Sequence, residues 1–430
     1  MRFVTFAAMN TLIEELTWRG LIHDVTPGLP ERLARGPIAG YGGFDPTAPS
    51  LQVGNLVLVM LLAHLQRAGG TPIVLVGGGT GLIGDPSGKS SERPLLSQSD
   101  VDENVARQRR QLERFLDFSS IPNAAKVVNN ADWLRAIPLV EFLRDTGKHF
   151  TISGMLQKES VRSRLDSGIS FTEFSYMLLQ AYDFLHLYRT HGCELQLGGS
   201  DQWGNITAGA ELIRRAVSGD AHGICAPLVT TSSGEKLGKT AGGAVWLDAE
   251  DTSPYKFYQF WINVDDEQVR QFLTMLTFKN GEEIDALMER HSLDAGARHP
   301  HRALAQDLTA RVHGDEAERR VAEASRVFFD RQNVATLRTA SPTVWQMLAA
   351  ELPCWDTMRT AMPVSIVDFI AAAGLTESKG EARRQLRQGG IYVNGIRAGG
   401  DDTIDAEQLL ADRYIWLRRG KKKDVIVRVG

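Results

Sequence analysis

The sequence predicts an α/β fold: a doubly wound parallel sheet, then a helical domain, then a small C-terminal α/β module. Three observations carry this. Residues 38–44, 53–68 and 72–76 read as strand, helix and buried strand, followed by a glycine-rich loop at 77–88. That order is the βαβ signature of a parallel sheet with crossover helices. After Asp248 the glycine-rich strand pattern stops, and residues 253–340 carry helical periodicity. The last stretch, 365–429, reads as two short helices followed by strands, with turns at Gly389-Gly390 and Asn394-Gly395.

The elements follow in order. Residues 38–44 form a short strand ending in glycines. Residues 53–68 are strongly apolar at helical spacing and stop at Gly69-Gly70. Residues 72–76 are a continuous apolar run, as in a strand covered on both faces. A short strand begins at Val127-Val128, before Asn129-Asn130. A long helix covers 172–188, a strand 194–197, a helix 200–216 and a strand 224–230. A polar loop rich in Gly, Ser, Thr and Lys then spans 231–243. The expected divisions are 1–247 for the sheet domain, 248–345 for the helical domain, 346–362 for a linker marked by Pro353, and 363–430 for the terminal module.

The chain has 430 residues, enough for two or three domains with at least one large core. With 43% hydrophobic and 23% charged residues, its balance is that of a globular protein. No apolar run reaches the roughly 18 residues of a membrane helix, and residues 1–10 do not read as a secretory signal. Cys193, Cys225 and Cys354 are few, odd in number and widely spaced. That argues against a disulfide framework or a cysteine metal site and fits a reducing cytoplasm. The net charge of −4 is uneven: residues 363–430 hold 12 Lys/Arg and 9 Asp/Glu, about +3, leaving about −7 for the rest. An acidic body with a basic terminal module is compatible with a nucleic-acid partner, and equally with ordinary solvated surface.

Three segments have the residue types that chemistry needs. In 41–55 a strand delivers Tyr41 and Asp45 to its C-terminal edge, where open α/β sheets bind ligands. The helix that starts near Gly54 points free N–H groups at that edge, a seat for phosphate. Gly54 lets a base or ribose approach the backbone, and Thr47, Gln52 and Asn55 offer neutral polar groups. Local chemistry alone also allows a plain strand–turn–helix connection with a polar cap. The second segment, Lys236-Leu237-Gly238-Lys239-Thr240, is a loop able to close over a triphosphate and stabilise a leaving pyrophosphate, or an exposed basic turn. In the third, Tyr176, Gln180 and Asp183 share one face of an otherwise apolar helix. They face solvent, or they line a pocket that binds an ammonium and a phenol. Asp85 with Lys89 and Arg93, and residues 198–205 with Asp201 and Gln202, stand near further strand ends. Each could be only a glycine turn with a cap, but five such clusters in one α/β domain exceed chance.

On these residues the chain resembles bacterial tyrosyl-tRNA synthetases, class I aminoacyl-tRNA synthetases, over nearly its whole length. The matching stretches are 41–54, 76–78 through 84–88, 174–176 through 180–183, 198–205 and the lysine loop, all in the family's order. The resemblance implies a Rossmann-like catalytic domain, a helical anticodon-stem-binding domain and a ribosomal S-four-type RNA-binding domain. It implies that Tyr41 and Asp183 bond the substrate phenol, that Tyr176, Gln180 and Asp85 hold its ammonium, and that Gln202 completes the tyrosine site. Gly43, Asp45, Gly54, Asn55, Gly199, Asp201 and Lys239 would line the ATP and adenylate site. Thr47, Gln52, Lys89, Arg93, Lys236, Lys239 and Thr240 would act on the phosphates. In the terminal module 378–384, 389–395 and 418–423 match, so Lys379, Arg383, Arg384, Arg418, Arg419, Lys421 and Lys422 would contact RNA phosphates. ATP with Mg²⁺, no resident metal, a homodimer, L-tyrosine and tRNA(Tyr), with no membrane, complete the expectation.

The sequence departs from the family at its His-x-Gly-His ATP signature, which here reads Gln52-Val53-Gly54-Asn55. An amide still donates to a phosphate oxygen but cannot become cationic. Gln52 therefore leaves open a non-charging paralogue, against which the tyrosine pocket and loop lysines stand. A tryptophan-specific enzyme of the same fold is the other alternative, and Asp183 opposite Tyr41 suits a phenol better than an indole N–H.

Overall fold

The computed structural model describes residues 7–87, 97–162, 164–165, 168–231, 234, 236–240, 243–420 and 423–430, with backbone alone at 7–11, 160 and 239–240. The chain forms two compact units, Met1–Ser253 with Phe260–Val312, and Pro254–Gln259 with His313–Gly430.

The first unit is built on a six-stranded sheet of β1 (Asp24–Val25), β2 (Ala39–Phe44), β3 (Thr71–Val76), β4 (Lys126–Asn129), β5 (Cys193–Gly199) and β6 (His222–Ala226). Their spatial order is β1-β6-β5-β2-β3-β4, with β2 to β6 parallel and β1 antiparallel at the edge. The chain leaves β2 toward β3 on one side, and β5 lies on the other. The order therefore reverses between β2 and β5, and a crevice opens beyond their C-terminal ends.

Local sequence explains this placement. Five of the six residues of β3 are buried, as a strand covered on both faces requires. In β2 the side chains alternate. A Cβ on Gly40 would lie 2.8 Å from Leu65, and one on Gly42 3.0 Å from Leu58, so the glycine face lets the helix Leu56–Arg67 approach closely. Tyr41, on the other face, packs against Phe184 with ring centroids 5.3 Å apart. The helix Leu56–Arg67 buries leucines at 56, 61, 62 and 65, each contributing roughly 1.5–3 kcal/mol.

Some expected boundaries move. The helix expected from residue 53 begins as a 3₁₀ turn, Val53–Asn55, and becomes α at Leu56. The long helix runs Phe171–His191, because the Ser170 side chain accepts from the Glu173 N–H at its start and Gly192, at φ 60°, ends it. The strand expected to reach residue 230 stops at Ala226. Pro227 follows it and has no N–H to continue the ladder.

In the second unit, strands Ile396–Arg397, Ile391–Val393, Tyr414–Arg419, Lys423–Val429 and Cys354–Thr357 lie side by side in that order. The helices Ile366–Ala372 and Lys379–Arg387 share its core with Phe369, Ile391, Leu417 and Val427. Residues 346–362, expected as a linker, carry regular structure. They include the end of the helix Pro342–Glu351 and the strand Cys354–Thr357, which pairs parallel with Lys423–Val429. Val344, Trp345 and Leu348 fix this, buried at helical spacing with Trp345 stacked on Tyr414 and edge-on to Trp416.

Candidate active site

Beyond the ends of β2 and β5 lies a cavity of about 400 Å³, within the range of small-molecule sites. Tyr41, Gly43, Asp45, Thr47, Gln52, Gly54, Asn55, Asp85, Tyr176, Gln180, Asp183, Gly199, Asp201, Gln202 and Lys236 all line it. The backbone of Lys239 and Thr240 pairs with Gly243–Ala244 in a short hairpin. Their side chains, and all of Lys89 and Arg93, lie outside the described residues.

The deep end of the cavity is a phenol-sized polar pair. Tyr41 is 1% exposed, and its hydroxyl makes no hydrogen bond among the described residues. Burial first, then the charge of Asp183, hold its pKa well above the ordinary phenol value. It is therefore a neutral donor. Asp183, likewise buried, accepts from Trp133 Nε1 at 2.7 Å and Asn130 Nδ2 at 2.9 Å. Burial pushes its pKa up to about 7 against those two stabilising donors, with Asp45 adding in the same direction.

Above that pair the helix Phe171–His191 presents its polar face. Tyr176 donates to Asp45 Oδ2 at 2.9 Å, and Thr80 Oγ1 donates to Asp45 Oδ1 at 3.0 Å. Gln180 donates to Gln202 at 3.1 Å and accepts from Asn205 at 3.0 Å. Gln202 in turn donates to Asp85 Oδ2 at 2.5 Å, while the Ser87 N–H donates to Asp85 Oδ1 at 2.9 Å. The spacing of Tyr176, Gln180 and Asp183 thus becomes one wall of a cavity whose carboxylates are already oriented. Such a wall suits an ammonium group.

The mouth joins two chain segments. Gln52 bridges Trp246 in antiparallel fashion, and the Val53 N–H donates to the Val245 carbonyl at 3.1 Å. The Val245 N–H donates to the Gly238 carbonyl at 2.9 Å, so the lysine loop sits directly against the 52–55 turn. A Cβ on Gly54 would lie 3.2 Å from the Leu237 carbonyl oxygen, so here the space at Gly54 is filled by the loop backbone. Asn55 Oδ1 accepts from the Gln52 N–H at 2.9 Å, which closes the turn locally. Lys236 Nζ stands 3.7 Å from Asp201 Oδ2. Burial raises the Asp201 pKa while Lys236 opposes it. A cationic loop side chain and a carboxylate therefore meet over the opening.

Sequence reasoning missed several residues that orient these groups. Asn130 and Trp133 fix Asp183, Thr80 fixes Asp45, and Asn205 fixes Gln180. Gln196, opposite Tyr41 in the β2–β5 register, is 2% exposed and leaves its Oε1 without a partner among the described residues at the cavity wall. Its signal was a neutral polar residue between Leu195 and Leu197 in the 194–197 strand. The others act on partners distant in sequence, 25 to 53 positions away.

In the terminal module the basic residues divide. Lys379, Arg383, Arg384 and Arg387 are exposed on one short helix, although Lys379 also pairs with Asp368 at 2.8 Å. Arg419 pairs with Glu381 at 2.6 Å. Arg418 is 5% exposed and its guanidinium lies 4.0 Å from the Tyr392 ring centroid, a packing role. Lys421 and Lys422 lie outside the described residues.

The family model for class I tRNA synthetases (W and Y) matches residues 33–330, and that for the tyrosine–tRNA ligase SYY-like C-terminal domain matches 346–427. A tyrosine–tRNA ligase of Anaeromyxobacter dehalogenans is 55% identical over 98% of this chain and 100% of its own length. That of Bacillus caldotenax is 48% identical over 97% and 99%. A C-terminally truncated mitochondrial tyrosyl-tRNA synthetase of Aspergillus nidulans superposes with a TM-score of 0.68 at 31% identity, over 75% of this chain and 98% of that one.

Proposed function

The chain belongs to the class I tRNA synthetases for tryptophan and tyrosine, and we propose that the cavity beyond β2 and β5 is where it activates its amino acid. It is a tyrosine–tRNA ligase in its reaction. It converts L-tyrosine and ATP to tyrosyl-adenylate and pyrophosphate, then transfers tyrosine to the 3′ end of tRNA. The observation that carries the site assignment is the buried Tyr41 hydroxyl, without a hydrogen bond among the described residues, in the cavity that also holds Asp183, Asp201 and Lys236.

In this reading the substrate phenol enters the deep end, accepts from Tyr41 and donates to Asp183. The ammonium lies against Tyr176, Gln180 and Asp85, with Gln202 bridging them. The carboxylate then points to the mouth, where Gly43, Asp45, Gly199 and Asp201 border the nucleotide. A carboxylate oxygen attacks the α-phosphate in line, and its O–P bond forms as the bond to the β-phosphate oxygen breaks. The chain supplies positioning and charge stabilisation, with no covalent enzyme intermediate. Thr47, Gln52, Lys236, Lys239 and Thr240, with Lys89 and Arg93, would attend the leaving pyrophosphate. Mg²⁺ would travel with ATP as part of the substrate.

Phenylalanine is rejected because it leaves the buried Tyr41 hydroxyl without an acceptor and offers Asp183 no further donor. Tyrosyl-tRNA synthetases are themselves the usual illustration of this effect. We further propose cytoplasmic localisation and a homodimer. Exposed Leu139, Val140, Leu143, Ile152 and Phe171, all within the stretch 139–171, support the dimer as apolar side chains available to a partner. The divisions at 248 and 346 stay part of this proposal, and the break between the two family matches, from 330 to 346, supports the second; the division at 363 gives way, because Cys354–Thr357 is a strand of the terminal sheet. The test is charging of tRNA(Tyr) with tyrosine, phenylalanine and tryptophan in parallel. Tyrosine alone should be transferred, and equal transfer of tryptophan would overturn the assignment of Tyr41 and Asp183.

A further inference from the structure

In the first unit three helix ends converge on residues that do not line the cavity beyond β2 and β5. Asp266 opens the helix Asp266–Leu276, His291 closes the helix Gly281–Leu293, and His301 stands in the first turn of the helix His299–His313. His301 Nε2 is 3.1 Å from Asp266 Oδ1, and His291 Nε2 is 3.6 Å from Asp266 Oδ2. The two imidazole centroids are 5.4 Å apart at 57°. One donor atom from each residue lies within 4.8 Å of the other two. We propose that Asp266, His291 and His301 form a zinc site that clips these three helices together, with water as the fourth ligand.

The distances are close to those this ion needs. Zn–N and Zn–O bonds near 2.0–2.1 Å in a tetrahedron set neighbouring donors about 3.3 Å apart; the two imidazole nitrogens stand 3.1 and 3.6 Å from the Asp266 carboxylate, each from a different oxygen, and one donor atom per residue lies within 4.8 Å of the others. Orientation points the same way. The His301 side chain is fully buried, yet neither of its ring nitrogens meets hydrogen-bond geometry with any described residue, and nor does His291 Nδ1. At 3.1 Å from Asp266 the His301 Nε2 is close enough to bond, but its axis does not aim at the oxygen. A buried imidazole pair so poorly partnered is otherwise a costly thing to keep.

The surroundings keep the donors available. The Arg298 guanidinium stands 3.7 Å from Asp266 Oδ1 but is held by the carbonyls of Ile262 at 3.2 Å and Val264 at 3.1 Å. Asp266 is 55% exposed, which leaves an entry path on its side. Two imidazoles with one carboxylate suit a borderline divalent ion such as zinc rather than Mg²⁺ or Ca²⁺.

The experiment uses the full-length chain, stripped with a chelator and dialysed against zinc chloride, with zinc counted per chain. Cobalt(II) replaces zinc in a parallel sample for its visible spectrum. One zinc per chain and an intense tetrahedral cobalt spectrum are expected. Zinc at about 100 times its dissociation constant should raise the folded-to-unfolded ratio roughly a hundredfold. His291→Gln and Asp266→Asn should each lose more than the roughly 10–100-fold in affinity that loss of an outer-shell partner costs. Asp266→Asn changes a half-exposed group and keeps the test readable should a histidine variant fold poorly. Less than one zinc per wild-type chain, or an affinity unchanged in both variants, would overturn the proposal.

Discussion

Tyr41 and Asp183 carry the choice of amino acid through opposite needs. Tyr41 Oη is a buried donor with no partner among the described residues, and Asp183 is a buried acceptor already holding Asn130 and Trp133. Tyr41→Phe removes the donor, so the preference for tyrosine over phenylalanine in kcat/KM should fall by about 1–3 kcal/mol, roughly tenfold or more. Parallel steady-state activation assays with the two amino acids measure this. Asp183 also ties stability to pH. Its carboxyl, raised to about 7 by burial, binds its proton more tightly in the native chain than in the unfolded one, where it titrates near 4. Its contribution is therefore fully present at low pH and is lost as pH rises from about 4 through about 7. Urea unfolding at pH 5 and pH 8 should show wild type losing ground to Asp183→Asn by an amount on the order of a few kcal/mol. A difference independent of pH would contradict the buried carboxylate. The lining residues were legible in sequence because they sit in short motifs at strand ends or share one helix face, as Tyr176, Gln180 and Asp183 do. Asn130, Trp133 and Thr80 were not, because they act through partners 35 to 53 positions away.

At the scale of elements, what the sequence made plain was periodicity. The 72–76 apolar run, the helix over 56–67 and the polar face of 171–191 all follow from spacing. What it hid depended on tertiary partners. The strand Cys354–Thr357 exists because Lys423–Val429 offers an edge, and nothing within 346–362 announces that pairing. The same element changes how the terminal module is best tested. Cutting the chain at 363 would strip a strand from its sheet, so charge reversal is the cleaner probe. Arg383→Glu with Arg384→Glu, both exposed on the helix Lys379–Arg387, should leave tyrosine activation unchanged and weaken charging. The slope of log affinity for tRNA against log salt should become shallower by roughly 0.7–0.9 for each phosphate the two arginines cease to neutralise. An unchanged slope would remove these arginines from the RNA surface.

For the whole molecule, the exposed apolar side chains at 139–171 predict assembly, with Leu139 71% and Phe171 79% exposed. Sedimentation equilibrium should find a dimer that Leu139→Asp with Phe171→Glu converts to monomer; a wild-type monomer would leave that surface unexplained. The central claim is that the cavity beyond β2 and β5 activates tyrosine even though Gln52 and Asn55 stand where the family has histidines. Asn55 Oδ1 accepts from the Gln52 N–H at 2.9 Å, which fixes that amide and leaves its NH2 able to donate, so Gln52 and Asn55 both stand at the mouth to meet phosphate. Tyrosine-dependent exchange of pyrophosphate into ATP by the purified chain reads this step without tRNA. Exchange well above the tyrosine-free background is the predicted result, and exchange at background with folded protein, restored by Gln52→His, would contradict it.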